Sequence, residues 1–292
     1  MTKSSDSGPV KKILIPTDFS GNAYNAVMYG VKLAESLKCT AILFHSAHLP
    51  KIGRLEDVIS GAGLNREDEL NAGLSNLKQQ MLSAHQNVNI ETLLSGGFAV
   101  EEIIRCVKEH KIDLVVMGTK GAGAISQVLI GSNTAKVIEM CPCPVLAIPE
   151  NAGLGSLDKI VFATNFADND FQSIYLLAGI FKPFNPEITI LHIGDRTDLN
   201  IEKKMFDWFK EQISTTIPYD NFKFEMIDST NVLESLNRFV EDNSVNVISA
   251  STRKRKFFDK LTSRSLTKKL AYHSHIPLLA FHAQHSGGVP LF

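Results

Sequence analysis

The chain has 292 residues, room for one large domain or two ordinary ones. Hydrophobic residues make up 44% of it and charged residues 21%, a globular mixture that excludes disorder over most of the length. Thirty basic and thirty-one acidic side chains leave a net charge of −1, so no global field attracts nucleic acid or an anionic membrane, and any phosphate must be held by a local site.

The polar start MTKSSDSGPV lacks the apolar core of a secretory signal. No apolar run reaches the roughly 20 residues that cross a bilayer. Four cysteines, Cys39, Cys106, Cys141 and Cys143, are too few for a disulfide scaffold. Reduced thiols and a cytoplasmic location are the expectation.

In chain order, the first β-type run is Lys12 to Ile15, closed by Pro16, Thr17 and Asp18. Ser20 reads as the N-cap of a helix with apolar spacing at Ala23, Ala26, Val27, Gly30, Ala34 and Leu37. A strand follows at Thr40 to His45, and then Lys51 to Asn65, Gly-containing and poorly periodic, reads as a flap beside a ligand crevice. Leu70, Leu74, Leu77 and Met81 mark a helix, Val88 to Leu94 a strand, and Val100, Ile103, Ile104 and Val107 another helix. Leu114 to Met117 and Val145 to Ile148 are the last strands of this half, with a helix opened by Ser132 as N-cap between them. Cys39 and Cys106 fall in helix-like stretches. Strands apolar at every position are buried on both faces, as a doubly wound parallel sheet requires.

The pattern is then written again. KILIPTDF at Lys12 recurs as KIVFATNF at Lys159, ILFH ending at His45 as TILH ending at His192, IDLVVMGT at Ile112 as VNVISAST at Val245, and CPVLAI at Cys143 as IPLLAF at Ile276. Internal repetition outranks other signals in reading a fold. It divides the chain into residues 1–150 and 151–292, with Asn151 to Ser156 as linker and each half long enough for its own core. VLAI at Val145 and LLAF at Leu278 are edges able to pair inside one chain. That makes a pseudo-dimer, with dimerisation of whole chains left open.

The segment LVVMGTKGAGAISQVLIGSNT runs from Leu114 to Thr134. A strand leads into Gly118, then Gly121, Gly123 and Gly131, with Ser132 and Asn133 opening a helix. Glycine lets backbone approach a ligand closely, and a helix start favours an anion. The spacing is neither the dinucleotide fingerprint nor the Walker pattern, so Lys120 is not a P-loop lysine. Glycines that merely turn the chain are the competing explanation. In open α/β sheets ligands sit beyond the carboxyl ends of strands where the winding reverses, which would bring Pro16, Thr17 and Asp18 beside Met117 and Gly118.

These residues resemble the universal stress protein family, over Lys11 to about His282. The resemblance rests on KILIPTDFS, on GTKG followed after nine residues by Gly131 and Ser132, and on CPCPVLAIP. It implies an adenine nucleotide alpha hydrolase-like fold, two five-stranded parallel sheets of order 3-2-1-4-5. It also implies that Gly118, Gly121, Gly131 and Ser132 hold the phosphates and ribose of ATP, with Mg2+ as an accompanying ion. By the same resemblance Asp18 lies near adenine and ribose, Ser46 follows the second strand and reads adenine through its backbone, and Thr17 and Asn133 neighbour the ligand.

The second copy departs from the motif: Gly118 falls on Ser251, Gly121 on Lys254, Gly131 on Arg264 and Asp18 on Asn165. Its TRKRKFFDK, from Thr252 to Lys260, is basic with two phenylalanines. One short cluster does not make a neutral chain a nucleic-acid binder. Cys141 and Cys143 lack the further ligands of a tetrahedral metal and read as packing. His45 and His192, at equivalent strand ends, suggest a repeated structural hydrogen bond, while His273, His275 and His282 are separated by a strand. The functional expectation is an ATP-binding stress-response regulator acting on a protein partner, with a degenerate second half. Slow ATP hydrolysis or phosphotransfer at Ser132 and Asp18, and a nucleotide-independent interaction scaffold, stay open as alternatives.

Overall fold

The computed structural model describes residues 10–47, 62–120, 130–153, 155, 157–167, 169–194, 199–252 and 276–282. The first half runs β1 (Lys12–Pro16), α1 (Gly21–Leu37), β2 (Thr40–Ala47), α2 (Ala62–Ala84), β3 (Asn89–Gly96), α3 (Ala99–His110), β4 (Leu114–Gly118), α4 (Ser132–Met140) and β5 (Val145–Ile148). The second runs β6 (Lys159–Thr164), α5 (Asp170–Phe181), a 3-10 turn (Lys182–Phe184), β7 (Glu187–Gly194), α6 (Leu199–Thr216), β8 (Phe222–Asp228), α7 (Val232–Asn243), β9 (Val247–Thr252) and β10 (Leu278–His282). Among the described residues no helix is long and apolar enough to cross a membrane.

The strands form one sheet in the order β3-β2-β1-β4-β5-β10-β9-β6-β7-β8. Each half has the expected order 3-2-1-4-5, counted from its own outer edge. The described neighbours are parallel except β5 and β10, which run antiparallel with Leu278 opposite Ala147, Leu279 opposite Leu146 and Ala280 opposite Val145. This is the expected pairing of VLAI with LLAF, and it joins the two five-stranded units into one sheet: the two inner edges satisfy each other's backbone groups.

β4 and β5 are buried along their whole length because helices cover both faces. At the outer edge β8 alternates, with Phe222 and Phe224 half-buried and Lys223 and Glu225 exposed, the two-residue period of a strand with one wet face. The core differs between the faces. One face carries a single cluster that runs through both halves, from Ile13, Ile15 and Leu146 to Ile160, Phe162 and Phe281. The other splits into a first-half cluster around Val115, Met117 and Ile138 and a second-half cluster around Val161, Leu191 and Val240. α1 lies close against the sheet: a Cβ added at Gly30 would fall 2.7 Å from Ile15 Cδ1.

Several boundaries differ from the sequence expectations. α4 begins at Ser132, so the N-cap is Gly131 and Ser132 is the first helical residue. β2 extends through Ala47, which puts Ser46 inside the strand, opposite Ser95 of β3, instead of after it. α1 ends at Leu37 with Lys38 in the left-handed conformation, so Cys39 precedes β2 outside the helix. Residues 62–65 of the expected flap are the first of α2; the rest of it lies outside the described residues, as do Gly121, Gly123, Lys254, Arg264, Ser265, His273, His275 and the basic loop after Thr252.

Candidate functional site

β1 carries the chain to a tight turn before α1. Thr17 N donates to Phe44 O at 2.8 Å, extending the ladder one residue beyond Pro16. Thr17 Oγ1 then accepts from Phe19 N at 3.1 Å, and Phe19 takes a positive φ of 61°. Asp18 Oδ1 accepts from Ser20 N at 3.0 Å and Ser20 Oγ at 2.5 Å, while Ser20 Oγ accepts from Ala23 N at 3.2 Å as the N-cap of α1. The turn's hydrogen bonds are local, which is why the short run TDFS suffices to build it.

β4 ends alongside, paired with β1 through Ile13–Leu114 and Leu14–Val115. The entry to α4 is laced onto that strand end: Gly131 N donates to Thr119 O at 2.6 Å and Thr134 Oγ1 to Gly118 O at 2.8 Å. A Cβ at Gly118 would sit 3.2 Å from Asn22 O and 3.3 Å from Lys120 O, and one at Gly131 would sit 3.3 Å from Thr119 O. Gly131 has φ −66° and ψ 159°, a conformation any residue adopts. Room, not backbone freedom, calls for glycine there.

Between the two strand ends lies a crevice of about 550 Å³. Pro16, Thr17, Asp18, Ser46, Met117, Gly118, Lys120, Gly131, Ser132 and Asn133 line it. Every residue nominated from the sequence is therefore gathered here, apart from Gly121, which lies outside the described residues. Further lining comes from Ala23, Phe44, His45, Ala99, Ile103 and Thr134. Of these, Phe44 was readable as an alternate position of β2, whereas Ala99 and Ile103 reach the crevice because α3 starts beside it, a relation with no local sequence signal.

The crevice is divided chemically. Phe44, Ala99, Ile103 and Met117 are apolar, and Asp18, Lys120, Ser132 and Asn133 are polar. Among the described residues no side chain caps α4, so its first N–H groups and the positive end of its dipole present to the crevice. His45 Nδ1 lies 2.7 Å from Thr17 O. A carbonyl only accepts, so Nδ1 carries the hydrogen and Nε2 of the neutral ring is an acceptor. His192 Nδ1 repeats the bond to Thr164 O at 3.0 Å, and Phe19 and Phe166 lie over the two imidazoles at 4.7 and 4.2 Å between ring centroids.

Cys141 and Cys143 are buried with their Sγ atoms 3.5 Å apart. Their mutual hydrogen bond raises the Cys143 thiol well above its ordinary range and lowers that of Cys141, and both pack in the apolar cluster with Val137, Ile138 and Val145. Among the described residues no group of three or more His, Cys, Asp or Glu side chains is placed to hold a metal.

A model described as the universal stress protein family matches residues 9–149. A universal stress protein of Methanocaldococcus jannaschii is 30% identical over 145 residues, which span 47% of this chain and 81% of that protein. A second from the same organism is 29% identical over 153 residues, 47% of this chain and 94% of that protein. Among solved structures, a universal stress protein from Archaeoglobus fulgidus covers 93% of this chain and 98% of its own at a TM-score of 0.67 and 16% identity. That last likeness is one of fold, and it spans both halves.

Proposed function

The chain belongs to the universal stress protein family, and on that premise we propose that its first half binds an adenine nucleotide, ATP with Mg2+, as a regulatory ligand. The observation that carries this reading is the crevice of about 550 Å³ at the carboxyl ends of β1 and β4. Its volume falls within the range of small-molecule sites, and its place is where the strand order reverses. The uncapped start of α4 offers N–H groups to phosphate oxygens, and Gly118 and Gly131, which carry no side chain, leave room for them, with Lys120, Ser132 and Asn133 alongside. Phe44, Ala99, Ile103 and Met117 offer the apolar end that a purine ring requires, and Asp18 and Ser46 lie between strand ends within reach of ribose and base.

Regulation, not turnover, is the activity proposed. Asp18 Oδ1 accepts from Ser20 N and Ser20 Oγ, so one carboxylate oxygen serves the turn before α1, and the regulatory reading assigns Asp18 to that turn and to the ligand's nucleoside end. We take residues 1–150 as the nucleotide-binding unit and 151–292 as its degenerate partner, since Gly118 is replaced by Ser251 and Asp18 by Asn165. A protein partner would sense occupancy of the first unit. A cytoplasmic location belongs to the same reading, because the four buried cysteines are free thiols, the form that persists in a reducing compartment.

The test is to melt the purified chain with and without Mg-ATP, and to analyse by mass spectrometry what the native protein releases on denaturation. A rise in melting temperature that grows with ATP concentration is expected by linkage. No shift, together with no nucleotide released, refutes the reading and favours the scaffold.

A further inference from the structure

The two halves place the same side chains at the same points of their turns. Thr17 and Thr164 accept from Phe19 N and Phe166 N, the two phenylalanines share positive φ, and each packs on its histidine. In the register that sets Lys12 on Lys159, every buried position of α5 falls on a buried position of α1. That register puts Ala23, on the wall of the crevice, at the position of Asp170 in the second half.

Asp170 is a buried carboxyl, 2% exposed, at the first position of α5, where the helix dipole favours negative charge. Its Oδ2 accepts from Thr164 Oγ1 at 2.7 Å and from Ala167 N at 3.1 Å. The Ser251 hydroxyl lies beside the same carboxyl and donates to Ser173 Oγ at 2.9 Å. Burial lifts it above its ordinary 3.8, and the Thr164 hydrogen bond leads the groups that pull against that rise. The Ser251 contact comes from the position that Gly118 holds in the first half, so strand end, turn and helix start converge on this one side chain.

We infer that Asp170 is a ligand built into the chain: its carboxyl fills, in the second half, the seat that the first half leaves open beside Thr17, Ala23 and Gly118. The seat takes an acceptor of the carboxylate class, and the second half supplies its own. The buried Thr164 hydroxyl and the Ala167 N–H, which need acceptors, are thereby satisfied without a diffusing molecule; in the first half Asp18 already takes the equivalent Ser20 N–H, and the Thr17 hydroxyl is what the open seat offers. The inference rests on the equivalence of the two turns and does not require that the first-half ligand be a nucleotide.

Emptying the seat tests it. In the full chain, Asp170→Ala is expected to melt about 5 °C lower than wild type, because donors are left unpaired in a buried place. Sodium formate, small enough to enter the void, is expected to recover about half of that loss in a concentration-dependent way, while sodium chloride at matched ionic strength does not. Wild type and Asp170→Asn, whose seats are filled, respond alike to the two salts. If Asp170→Ala does not fold, Asp170→Ser carries the same comparison. An unchanged melting temperature in the Ala variant, an equal response of the emptied variant to both salts, or a formate-specific gain in wild type overturns the inference.

Discussion

At position 23 the first half has alanine, and at the equivalent position 170 the second half has aspartate; the turns share their threonine, phenylalanine and histidine but differ in that Asp18 takes Ser20 N where Asp170 takes Ala167 N. Thr17 is buried and lines the crevice, whereas the Thr164 hydroxyl donates a hydrogen bond to Asp170. A carboxyl placed on α1 should thus find a partner already oriented. Ala23→Asp is expected to leave the chain folded, because α5 shows the same helix accommodating aspartate there, and to abolish the rise in melting temperature caused by Mg-ATP. A shift equal to that of wild type would show that the ligand does not use the seat beside Thr17. Gly118 is a poorer position for such a test: a new side chain there meets the backbone of Asn22 and Lys120, so it would disturb the fold along with the site.

Among the elements, α1 and α2 are tied at their far ends, away from the crevice. Glu35, in the last turn of α1, accepts from His85 Nδ1 at 2.8 Å and from Asn87 N at 3.3 Å, just beyond α2. The His85 hydrogen bond, aided by Asn87 and opposed by burial, holds the Glu35 carboxyl below its ordinary 4.5. A carboxyl lowered in the folded state contributes stability above its unfolded value and loses it as pH falls through the folded one. The contribution is therefore full at neutral pH and fades below about 4.5. His85→Ala is expected to flatten the acid side of the melting-temperature profile between pH 5 and 3. A variant profile parallel to wild type over that range would mean that the tie contributes nothing. α4 shows the opposite use of a helix end: the N-cap is Gly131 instead of the expected Ser132, which leaves the first turn without a side-chain cap and its N–H groups available to a ligand.

For the molecule as a whole, β5 and β10 make one sheet out of two repeats. The core on one face passes from Ile13 to Phe281 through Leu146 and Leu279, so the halves are joined chiefly on that face, while on the other Ala280 of β10 packs into the first-half cluster. Leu279 is fully buried and opposite Leu146. Leu279→Ala is expected to cost about 2–5 kcal/mol, as a large-to-small change in a packed core does. Because the cavity lies at the seam, the loss should also split a single calorimetric transition into two. A variant that unfolds in one transition, at the wild-type denaturant midpoint, would show that the seam carries little of the coupling.

The alternation of buried strands with helices, the duplication and the gathering of Pro16 to Asp18 with Gly118 and Gly131 were all legible before any coordinates. Each depends on local signals: an all-apolar run reports burial on both faces, a repeat reports a second copy, and a glycine at a strand end reports close approach. Ala99 and Ile103 entered the crevice unannounced, since they come from a separate element whose meeting with the strand ends depends on how helices settle on the sheet. The chain by itself determined the repeated α/β unit and the open strand ends of its first copy, because periodicity and turn chemistry act over a few residues. Only the tertiary structure decided the antiparallel register in which the two edges join and that Asp170 closes the second seat, because both depend on contacts between segments far apart in the chain.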